Sequence, residues 1–444
     1  MKFRGLLVAV VVLAALGGAA YWSNKKEKAD AGKPPADAPP KILSIPEDQF
    51  KQILLKKKTG DTTSVLKADG KWQIVQPKPL AADQDSVSSV VSSLASLASD
   101  RLIEDKATDL ASYGLAAPNQ EVVITRKDGK TDKLLIGDDT PTGSGVFAKL
   151  ENDPRVFTIA SYVKSSLDKS SKDLRDKRLL TFNSDKLTRV FLTAKGQSVE
   201  FGKNAQNEWQ ILKPKPLRAD GLQVDELVRK LKDAKMDTAA SDEDAKKAAA
   251  AFYSSTRVAD AAVTDASSTQ TIEVHRDAEK NYYAKSSVVE GIYKIPADLG
   301  DGLDKGLDDF RTKKLLDFGW NDPTKLEIRN GAAQATYQKS GEKWMAGSKQ
   351  MDAPSIQAVV DKLRDFSAVK FLDWGSGAPI FEATVTSNDG KRVEKVSIWK
   401  QGDSYFAKRD GEPTVYQVDA KAAEELQKSA NEVKEFQPPK SGKK

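Results

Sequence analysis

Three segments of the chain carry the same helical pattern of apolar residues. In each, an aspartate is followed by apolar residues spaced i, i+3, i+4 and i+7, which lie along one face of a helix: Val87, Val90, Val91 and Leu94 after Asp83, Val224, Leu227, Val228 and Leu231 after Asp220, and Ile356, Val359, Val360 and Leu363 after Asp352. An aspartate in this position can accept hydrogen bonds from the first free backbone N–H groups of a helix. The pattern therefore predicts three amphipathic helices with Asp83, Asp220 and Asp352 as N-caps.

A tryptophan precedes each predicted helix. The phrases WQIVQPKPL, from Trp72, and WQILKPKPL, from Trp209, are nearly identical, and Trp344 precedes the third helix although the Pro-Lys-Pro is missing there. The prolines keep the chain extended and prevent the helix from starting early. Since the tryptophan recurs at one place relative to a strand and a helix, we predict that Trp72, Trp209 and Trp344 pack against the helix that follows. Stacking on a ligand is the alternative for Trp72 and Trp209.

Alternating apolar and polar residues around each predicted helix indicate strands. Asp128-Gly129 and Asp389-Gly390 each join two such runs, as hairpin turns do. A Phe/Tyr-Ala-Lys triplet at 147–149, 283–285 and 406–408 marks a further strand. The pattern predicts an α+β fold in which three tandem repeats each contain a mostly antiparallel sheet with packed helices.

The repeats define the predicted domain organisation. A chain of 444 residues has room for about three domains, and we place repeat units at 42–182, 183–318 and 319–436, the last of them degenerate. The phrases LRDKRLLTF, ending at Phe182, and FRTKKLLDF, ending at Phe318, close the first two units in this scheme. The basic residues 437–444 are predicted to form a disordered tail.

The N-terminus has the pattern of a membrane-directing segment. The positive residues Lys2 and Arg4 precede an apolar run from Leu6 to Ala20, which is followed by Tyr21-Trp22. The small residues Gly18-Ala19-Ala20 fit a cleavable signal peptide. The length and the aromatic pair fit an uncleaved transmembrane helix with its N-terminus inside.

We favour a signal-anchor at 1–22, followed by a Pro/Ala/Lys-rich linker at 23–41. Both interpretations place the rest of the chain outside the cytoplasm. The expected location is the cell inner membrane, crossed once, with the bulk of the chain in the periplasm.

Composition excludes several classes of site. The chain has no cysteine, which rules out disulfides, thiolate metal ligands, cysteine nucleophiles and a lipid-modified N-terminal cysteine. The net charge is +6, but basic and acidic residues are interspersed rather than gathered in the stripe typical of nucleic-acid binding.

Candidate chemistry along the sequence is weak. His275, the single histidine, alternates with Glu273 on a predicted strand, so the pair could act as a general base or a metal ligand. We expect an ordinary surface-strand histidine instead, at a position aligned with about Thr125. The acidic residues 241–244 are typical of a helix start, and the glycine-containing loop 138–145 does not form a phosphate cradle. We predict no catalytic, cofactor-binding or metal-binding residues.

Several motifs resemble a known bacterial family. They are Asp69-Gly70-Lys71-Trp72, the capped helix after Asp83, Tyr113-Gly114-Leu115 with Pro118, Leu135-Ile136-Gly137, and Leu174-Arg175-Asp176-Lys177. Together they resemble domain-of-unknown-function family 4340 over most of the first two repeat units, while the third matches more weakly. The resemblance implies an N-terminally anchored extracytoplasmic protein, often encoded near gliding-motility-type ABC transporter components. It implies no catalytic residues, because the family has no established activity.

These observations favour a non-enzymatic, membrane-anchored scaffold or accessory protein that binds a membrane complex. An ABC-type transporter is the partner that the resemblance suggests. The alternative is a cell-envelope glycan or peptidoglycan binding protein, whose groove would be lined by Tyr253, Tyr282, Tyr283, Trp374 and Trp399. A hydrolase that uses His275 or carboxylates is a third hypothesis. We expect no nucleic-acid partner.

Overall fold

The computed structural model describes residues 40–237, 242–320 and 323–438. The predicted anchor at 1–22, all but the end of the linker at 23–41, and most of the tail predicted at 437–444 lie outside these ranges. Inside them, no helix combines the length and the apolar character that a membrane span requires.

The first sheet follows from the first tryptophan phrase and the hairpins after it. Its strands are β1 (Phe50–Lys57), β2 (Thr62–Ala68), β3 (Lys71–Gln76), β4 (Leu80–Ala81), β5 (Arg101–Glu104), β6 (Gln120–Arg126), β7 (Thr131–Asp139), β8 (Gly145–Leu150) and β9 (Val156–Ala160). Its helices are α1 (Gln84–Ala95), α2 (Ser161–Leu167) and α3 (Ser171–Leu174), with 3₁₀ turns at Glu47–Gln49 and Ala111–Tyr113. The strands are antiparallel in the order β4-β3-β2-β1-β6-β7-β8-β9-β5.

In its described residues, the second sheet repeats this order without a strand equivalent to β5. Its strands are β10 (Arg189–Ala194), β11 (Gln197–Lys203), β12 (Trp209–Lys213), β13 (Leu217–Arg218), β14 (Thr256–Thr264), β15 (Thr269–Arg276), β16 (Tyr282–Ser286) and β17 (Ile292–Ile295). Its helices are α4 (Gly221–Lys232), α5 (Asp242–Ser254) and α6 (Ala297–Leu303), with 3₁₀ turns at Ser184–Lys186 and Leu307–Asp309. The order is β13-β12-β11-β10-β14-β15-β16-β17.

The third sheet has the strand order of the first. Its strands are β18 (Lys325–Asn330), β19 (Ala333–Ser340), β20 (Lys343–Ala346), β21 (Lys349–Gln350), β22 (Ala368–Leu372), β23 (Phe381–Ser387), β24 (Arg392–Gln401), β25 (Ser404–Arg409) and β26 (Val415–Val418), and its helices are α7 (Ala353–Asp365) and α8 (Ala420–Asn431). The order β21-β20-β19-β18-β23-β24-β25-β26-β22 matches that of the first sheet strand for strand. The predicted α+β fold with mostly antiparallel, repeated sheets is confirmed.

Each sheet has an inner face, which packs on its capped helix (α1, α4 or α7), and an outer face on the opposite side. In the first sheet the apolar stripe of α1 is buried in one core with alternate residues of the strands, such as Ile124, Ile136 and Ala148. Phe147, between Val146 and Ala148, points to the outer face, because successive side chains of a strand alternate between faces. The second and third sheets have their own cores of the same design.

Backbone hydrogen bonds define where each repeat begins and ends. The incoming chain donates from Ile42, Leu179 and Leu315 to the carbonyls of Leu97, Ala234 and Phe366, just beyond each capped helix, at 2.7, 2.8 and 3.1 Å. The outgoing chain accepts at Leu174, Phe310 and Lys434 from the N–H groups of Asp83, Asp220 and Asp352, at 2.8, 2.8 and 2.9 Å. Both ends of a repeat are therefore attached beside the two ends of its capped helix.

The repeat boundaries differ from those that the sequence pattern suggests. Leu179, Leu180 and Phe182 lie in the core of the second sheet, and Leu315, Leu316 and Phe318 lie in the core of the third. The phrases that end at Phe182 and Phe318 thus close one repeat and open the next, because an apolar run does not reveal which of two neighbouring cores it enters. Residues 40–177 form one compact part, and the described residues from Arg178 onward, which hold the second and third sheets, form another.

Candidate functional site

The three predicted capping aspartates stand at the N-caps of α1, α4 and α7. The Asp83 carboxylate accepts a hydrogen bond from the backbone N of Ser86 at 2.7 Å, and the Asp352 carboxylate accepts from the backbone N of Ser355 at 3.0 Å. Asp220 accepts from the backbone N of Leu222 and of Gln223, at 3.1 and 3.3 Å. Each cap stabilises its helix by about 1 kcal/mol, since it satisfies N–H groups that have no partner within the helix. The carboxylates of these aspartates are therefore engaged in capping their helices.

The three tryptophans are buried in the cores. Their exposed fractions are 4 % for Trp72, 9 % for Trp209 and 6 % for Trp344. The indole Nε1 of Trp209 donates to the carboxylate of Asp225 in α4 at 2.7 Å. The backbone of Trp72 is held by the side-chain amide of Gln84 in α1, which accepts from Trp72 N at 2.8 Å and donates to Trp72 O at 2.9 Å. Both residues connect a strand to the following helix, and so little exposed ring offers no platform for ligand stacking.

One connection differs in all three repeats, and we call its residues the divergent segments: 105–119 in the first, 242–255 in the second and 373–380 in the third. In the first and third sheets this segment follows an edge strand, β5 or β22. In the described residues of the second sheet no edge strand precedes it, and helix α5 occupies the segment.

Each divergent segment covers an aromatic residue on the outer face of its sheet. In the first sheet the ring of Tyr113 packs edge-on against Phe147, with 4.9 Å between centroids. In the second, Phe252 of α5 stacks on His275 at 3.8 Å. In the third, Gly377 lies so close to the indole of Trp399 that an added Cβ would come within 2.1 Å of it. Different segments therefore cover the same region of three similar sheets.

His275 lies beneath helix α5 and is not the surface-strand residue expected from the sequence. Its side chain is only 13 % exposed. Its Nδ1 lies 2.8 Å from the carbonyl oxygen of Phe252, and its Nε2 lies 3.0 Å from the carboxylate of Glu273. It belongs to β15, which takes the place of β7, so the alignment with Thr125 of β6 is wrong. The sequence did predict a helix start at 241–244, and α5 begins at Asp242, but the strand beneath this helix could not be predicted.

A partly buried ion-pair network joins the second and third sheets. Arg218, at the edge of the second sheet, places its Nη1 2.8 Å from both carboxylate oxygens of Asp317. Its Nε donates to Glu412 at 2.6 Å. Arg409 of the third sheet binds the same two acids, at 3.2 Å from Asp317 and 3.1 Å from Glu412, and also binds the buried Glu394 at 2.8 Å. The two arginines thus share the carboxylates of Asp317 and Glu412, and Arg409 alone also binds Glu394.

Burial and charge shift the proton affinities within this network. Burial alone would lower the pKa of Arg218, but the carboxylates of Asp317 and Glu412 outweigh it and raise that pKa above its usual value. Burial raises the pKa of Tyr416 to about 12, opposed by the charge of Arg218 and supported by the hydrogen bond from the tyrosine hydroxyl to Glu412. At neutral pH the arginine is charged and the tyrosine is neutral, so the tyrosine hydroxyl can donate to Glu412 while Arg218 pairs with Asp317 and Glu412.

Further contacts extend the junction around this network. Arg392 donates to the backbone O of Asp317 and to Glu208 of the second sheet, both at 2.6 Å. Arg311 lies 3.8 Å above the ring centroid of Phe371 and donates to Thr414 at 3.0 Å. These contacts fix the third sheet on the second.

The sequence contained a signal for this network that periodicity does not reveal. Within the repeated phrases, Arg218 replaces the alanine at position 81, and Asp317 replaces the threonine at position 181. Both substitutions place a charge where the first repeat has none. A comparison of the repeats with each other, residue by residue, would have flagged the pair.

Two exposed aromatic residues belong to the divergent segments of the second and third sheets. Tyr253 is 71 % exposed and Trp374 is 85 % exposed. The other aromatics considered for a glycan groove are differently placed, since Tyr282 and Trp399 are buried in the fold and Tyr283 is half-buried. In the described ranges, no group of three or more histidine, aspartate and glutamate residues is arranged to hold a metal ion.

Comparison with known proteins identifies a family. A search of curated proteins finds no match. A family model for a domain of unknown function matches residues 72–248 and 209–384. The two matches begin at Trp72 and Trp209, the first residues of the repeated phrase, and together they span well over half of the chain. The protein therefore belongs to the family described as Domain of unknown function (DUF4340).

Proposed function

We propose that this protein is a non-enzymatic, membrane-anchored extracytoplasmic scaffold that binds a membrane complex through its divergent segments. One observation supports this most directly. The three sheets have cores of the same design and equivalent capped helices, yet each carries a different segment on its outer face. The exposed rings of Tyr253 and Trp374 belong to two of these segments. Exposed aromatic side chains of this kind are typical anchors of protein–protein interfaces.

The ion-pair network supports this proposal through rigidity. Because Arg218, Asp317 and Glu412 connect the second and third sheets, the two sheets present their outer faces in one arrangement. A surface that is ordered before binding loses less conformational entropy on association. The second and third sheets would therefore offer a preformed surface to a partner.

The anchor and the linker supply the tethering part of the mechanism. In this proposal, residues 1–22 cross the inner membrane once and the linker at 23–41 extends into the periplasm. A tether of this kind raises the effective concentration of the folded part near a membrane complex. The family resemblance suggests an ABC-type transporter as that complex.

Site-specific crosslinking tests the proposal. Because the chain has no cysteine, an introduced cysteine is the single labelling site. Single-cysteine variants Tyr253→Cys and Trp374→Cys would be labelled with a photoactivatable reagent and crosslinked in cells that express the full chain. Leu222→Cys is the matched control, because Leu222 is 80 % exposed but lies at the start of the capped helix α4, on the inner side of the sheet. A chain that keeps the anchor but lacks residues 42–436 controls for membrane proximity.

The expected result is reproducible capture of transporter permease or ATPase subunits from positions 253 and 374, with little capture from 222 or from the anchor-only chain. Equal capture from all positions would contradict a specific surface. Capture of only abundant envelope proteins at control level would overturn the scaffold proposal.

A further inference from the structure

The second sheet contains a pocket at a place that side chains fill in the other two sheets. The pocket has a volume of about 360 Å³ and opens beside the β10–β11 turn. Its lining includes Ala194 on the inner side, the cations Lys195, Arg257 and Arg276, and the carboxylate of Asp304 just after α6. The neighbouring repeats show what normally occupies this space.

In the first sheet, two paired residues of the central strands fill the equivalent space. Lys57 of β1 is opposite Gln120 of β6. The Lys57 ammonium lies 2.5 Å from the carboxylate of Asp168, which follows the last residue of α2. The buried amide of Gln120 donates to the carbonyl oxygen of Leu167 at 2.7 Å. Both side chains thus satisfy the C-terminal end of the helix.

In the third sheet, a different pair fills the same place. Asn330 of β18 is opposite Phe381 of β23. The Asn330 amide donates to the carbonyl oxygen of Gln427 at 2.8 Å and to the side chain of Asn431 at 2.9 Å, at the C-terminal end of α8. The ring of Phe381 is fully buried. A hydrogen-bond donor reaches the helix end here as well.

In the second sheet, the aligned pair consists of two alanines. Ala194 of β10 is opposite Ala259 of β14. Ala194 follows the core residue Leu192 by two positions, as Lys57 follows Leu55 and Asn330 follows Ile328. Since alanine has only a methyl group, neither side chain can make the contacts that Lys57, Gln120 and Asn330 make with a helix end. Ala194 lines the pocket together with Asp304, the residue that follows α6.

The end of α6 keeps the acceptors that the missing side chains would satisfy. Asp304 takes the place of Asp168, and its carboxylate has no ion-pair or hydrogen-bond partner among the residues that the structure describes. The carbonyl oxygen of Leu303 accepts from Lys305 N at 2.9 Å, whereas Leu167 accepts from both Lys169 N and Gln120. The pocket therefore presents the carboxylate of Asp304, which makes no hydrogen bond or close ion pair among the described residues although its charge acts on Arg276.

Positive charge also lines the pocket. Arg276 has one hydrogen-bond contact, to the hydroxyl of Tyr282 at 3.3 Å. Lys195 makes only a long ion pair, 4.0 Å from Asp309. Arg257 is paired with Asp260 and is less available. The guanidinium of Arg276 and the ammonium of Lys195 are donors suited to an anionic group, and to a carboxylate in particular.

We propose that this pocket binds a small molecule that carries both an ammonium group and a carboxylate. The ammonium takes the position of the Lys57 ammonium and binds Asp304, while the carboxylate binds Arg276 and Lys195. The volume lies near the lower end for ligand pockets, which fits a free amino acid or the termini of a very short peptide. This site is independent of the proposed partner surface.

Calorimetric titration of the full chain in detergent tests the proposal. The probes are L-alanine, L-glutamate, L-lysine and the dipeptide alanyl-alanine, which separate free amino acids from peptides. For each probe that binds, its N-acetylated and its amidated derivatives remove one charge at a time. We expect saturable binding of at least one probe and a loss of about tenfold or more in affinity for both derivatives, since each loses one charge-assisted contact.

Variants locate the binding in this pocket. Asp304→Asn should weaken binding by about tenfold or more, because the ammonium loses its charged partner. Ala194→Lys restores the residue type of the first sheet and should abolish binding by placing its own ammonium at Asp304. Asp168→Asn, the equivalent change in the first sheet, is the control and should leave affinity unchanged. Absence of binding by every probe, equal binding of a derivative that lacks one charge, or full affinity in Asp304→Asn would each overturn the proposal.

Discussion

The divergent segment of the second sheet forms helix α5, whereas that of the third sheet, 373–380, is an irregular loop, although both sheets have the same order of their shared strands, a capped helix and a buried tryptophan. The residues that agree are those that build the core, such as Trp209 and Trp344. The residues that differ lie in three places: over the outer face, around the pocket beside Ala194, and in the junction around Arg218. The comparison shows that the common plan maintains the fold, and that the departures from it are where specific function is to be sought.

The largest effect is expected from breaking the junction that holds these two sheets together. Arg218→Met leaves Asp317 and Glu412 without one of their two arginines in a partly buried site, so local stability should fall by about 3 kcal/mol, the lower end of the cost of breaking a buried ion pair. Hydrogen exchange of peptides from the second and third sheets would measure this loss.

The matched control is Lys421→Met, because Lys421 is an exposed residue with only a long ion pair to Glu425 at 3.9 Å. That change should alter stability by less than about 0.5 kcal/mol. If Arg218→Met cost no more than Lys421→Met, the network would not determine how the two sheets are joined.

High pH should lower the stability of the third sheet in particular, because of Tyr416. Its pKa is raised to about 12 in the folded protein, so the unfolded chain loses the phenolic proton first. The stabilisation is complete below the ordinary tyrosine pKa of roughly 10 and declines as the pH rises from there to about 12. The shift corresponds to about 2–3 kcal/mol.

Urea unfolding between these pH values, compared in wild type and Tyr416→Phe, measures this contribution. The wild-type chain should lose more stability than the variant as the pH rises. Parallel loss in both proteins would mean that other groups are responsible.

The local stability of helix α5, which covers the second sheet, should depend on His275 with a smaller effect. Replacement by phenylalanine keeps the stacking on Phe252 but removes the contacts with the Phe252 carbonyl and with Glu273. We expect helix α5 to lose about 1 kcal/mol of local stability, the usual net value of a hydrogen bond, while β14 and β15 remain protected.

Hydrogen exchange at 242–254 checks this prediction, and His275→Ala, which also removes the stacking, should have the larger effect. Unchanged exchange in both variants would show that α5 is held by its apolar contacts alone, such as Phe252 with Ile292.

The repeated parts of the fold could be predicted because they follow periodic patterns. The apolar stripe after Asp83, the N-cap and the buried Trp72 are local features that recur in the other repeats. The segment LRDKRLLTF shows the limit of this approach, since one continuous phrase serves two cores. Helix α5 could be predicted as a helix, but its position above His275 depends on contacts between residues distant in sequence. The network around Arg218 and the pocket beside Ala194 arise where the repeats differ from each other. A search for periodicity does not detect such differences.

The attachment of both ends of each repeat to its capped helix has a mechanical consequence. In the second repeat, tension applied along the chain would reach Leu179 at one end and Phe310 at the other, and these residues bond to Ala234 and Asp220 on either side of α4. The force would pass through α4 and its flanking hydrogen bonds before it reached the edge strands. Applied force should therefore break the hydrogen bonds beside α4 first and leave the strand pairing of the sheet intact. Each repeat would then lengthen in a distinct first step before its sheet unfolds.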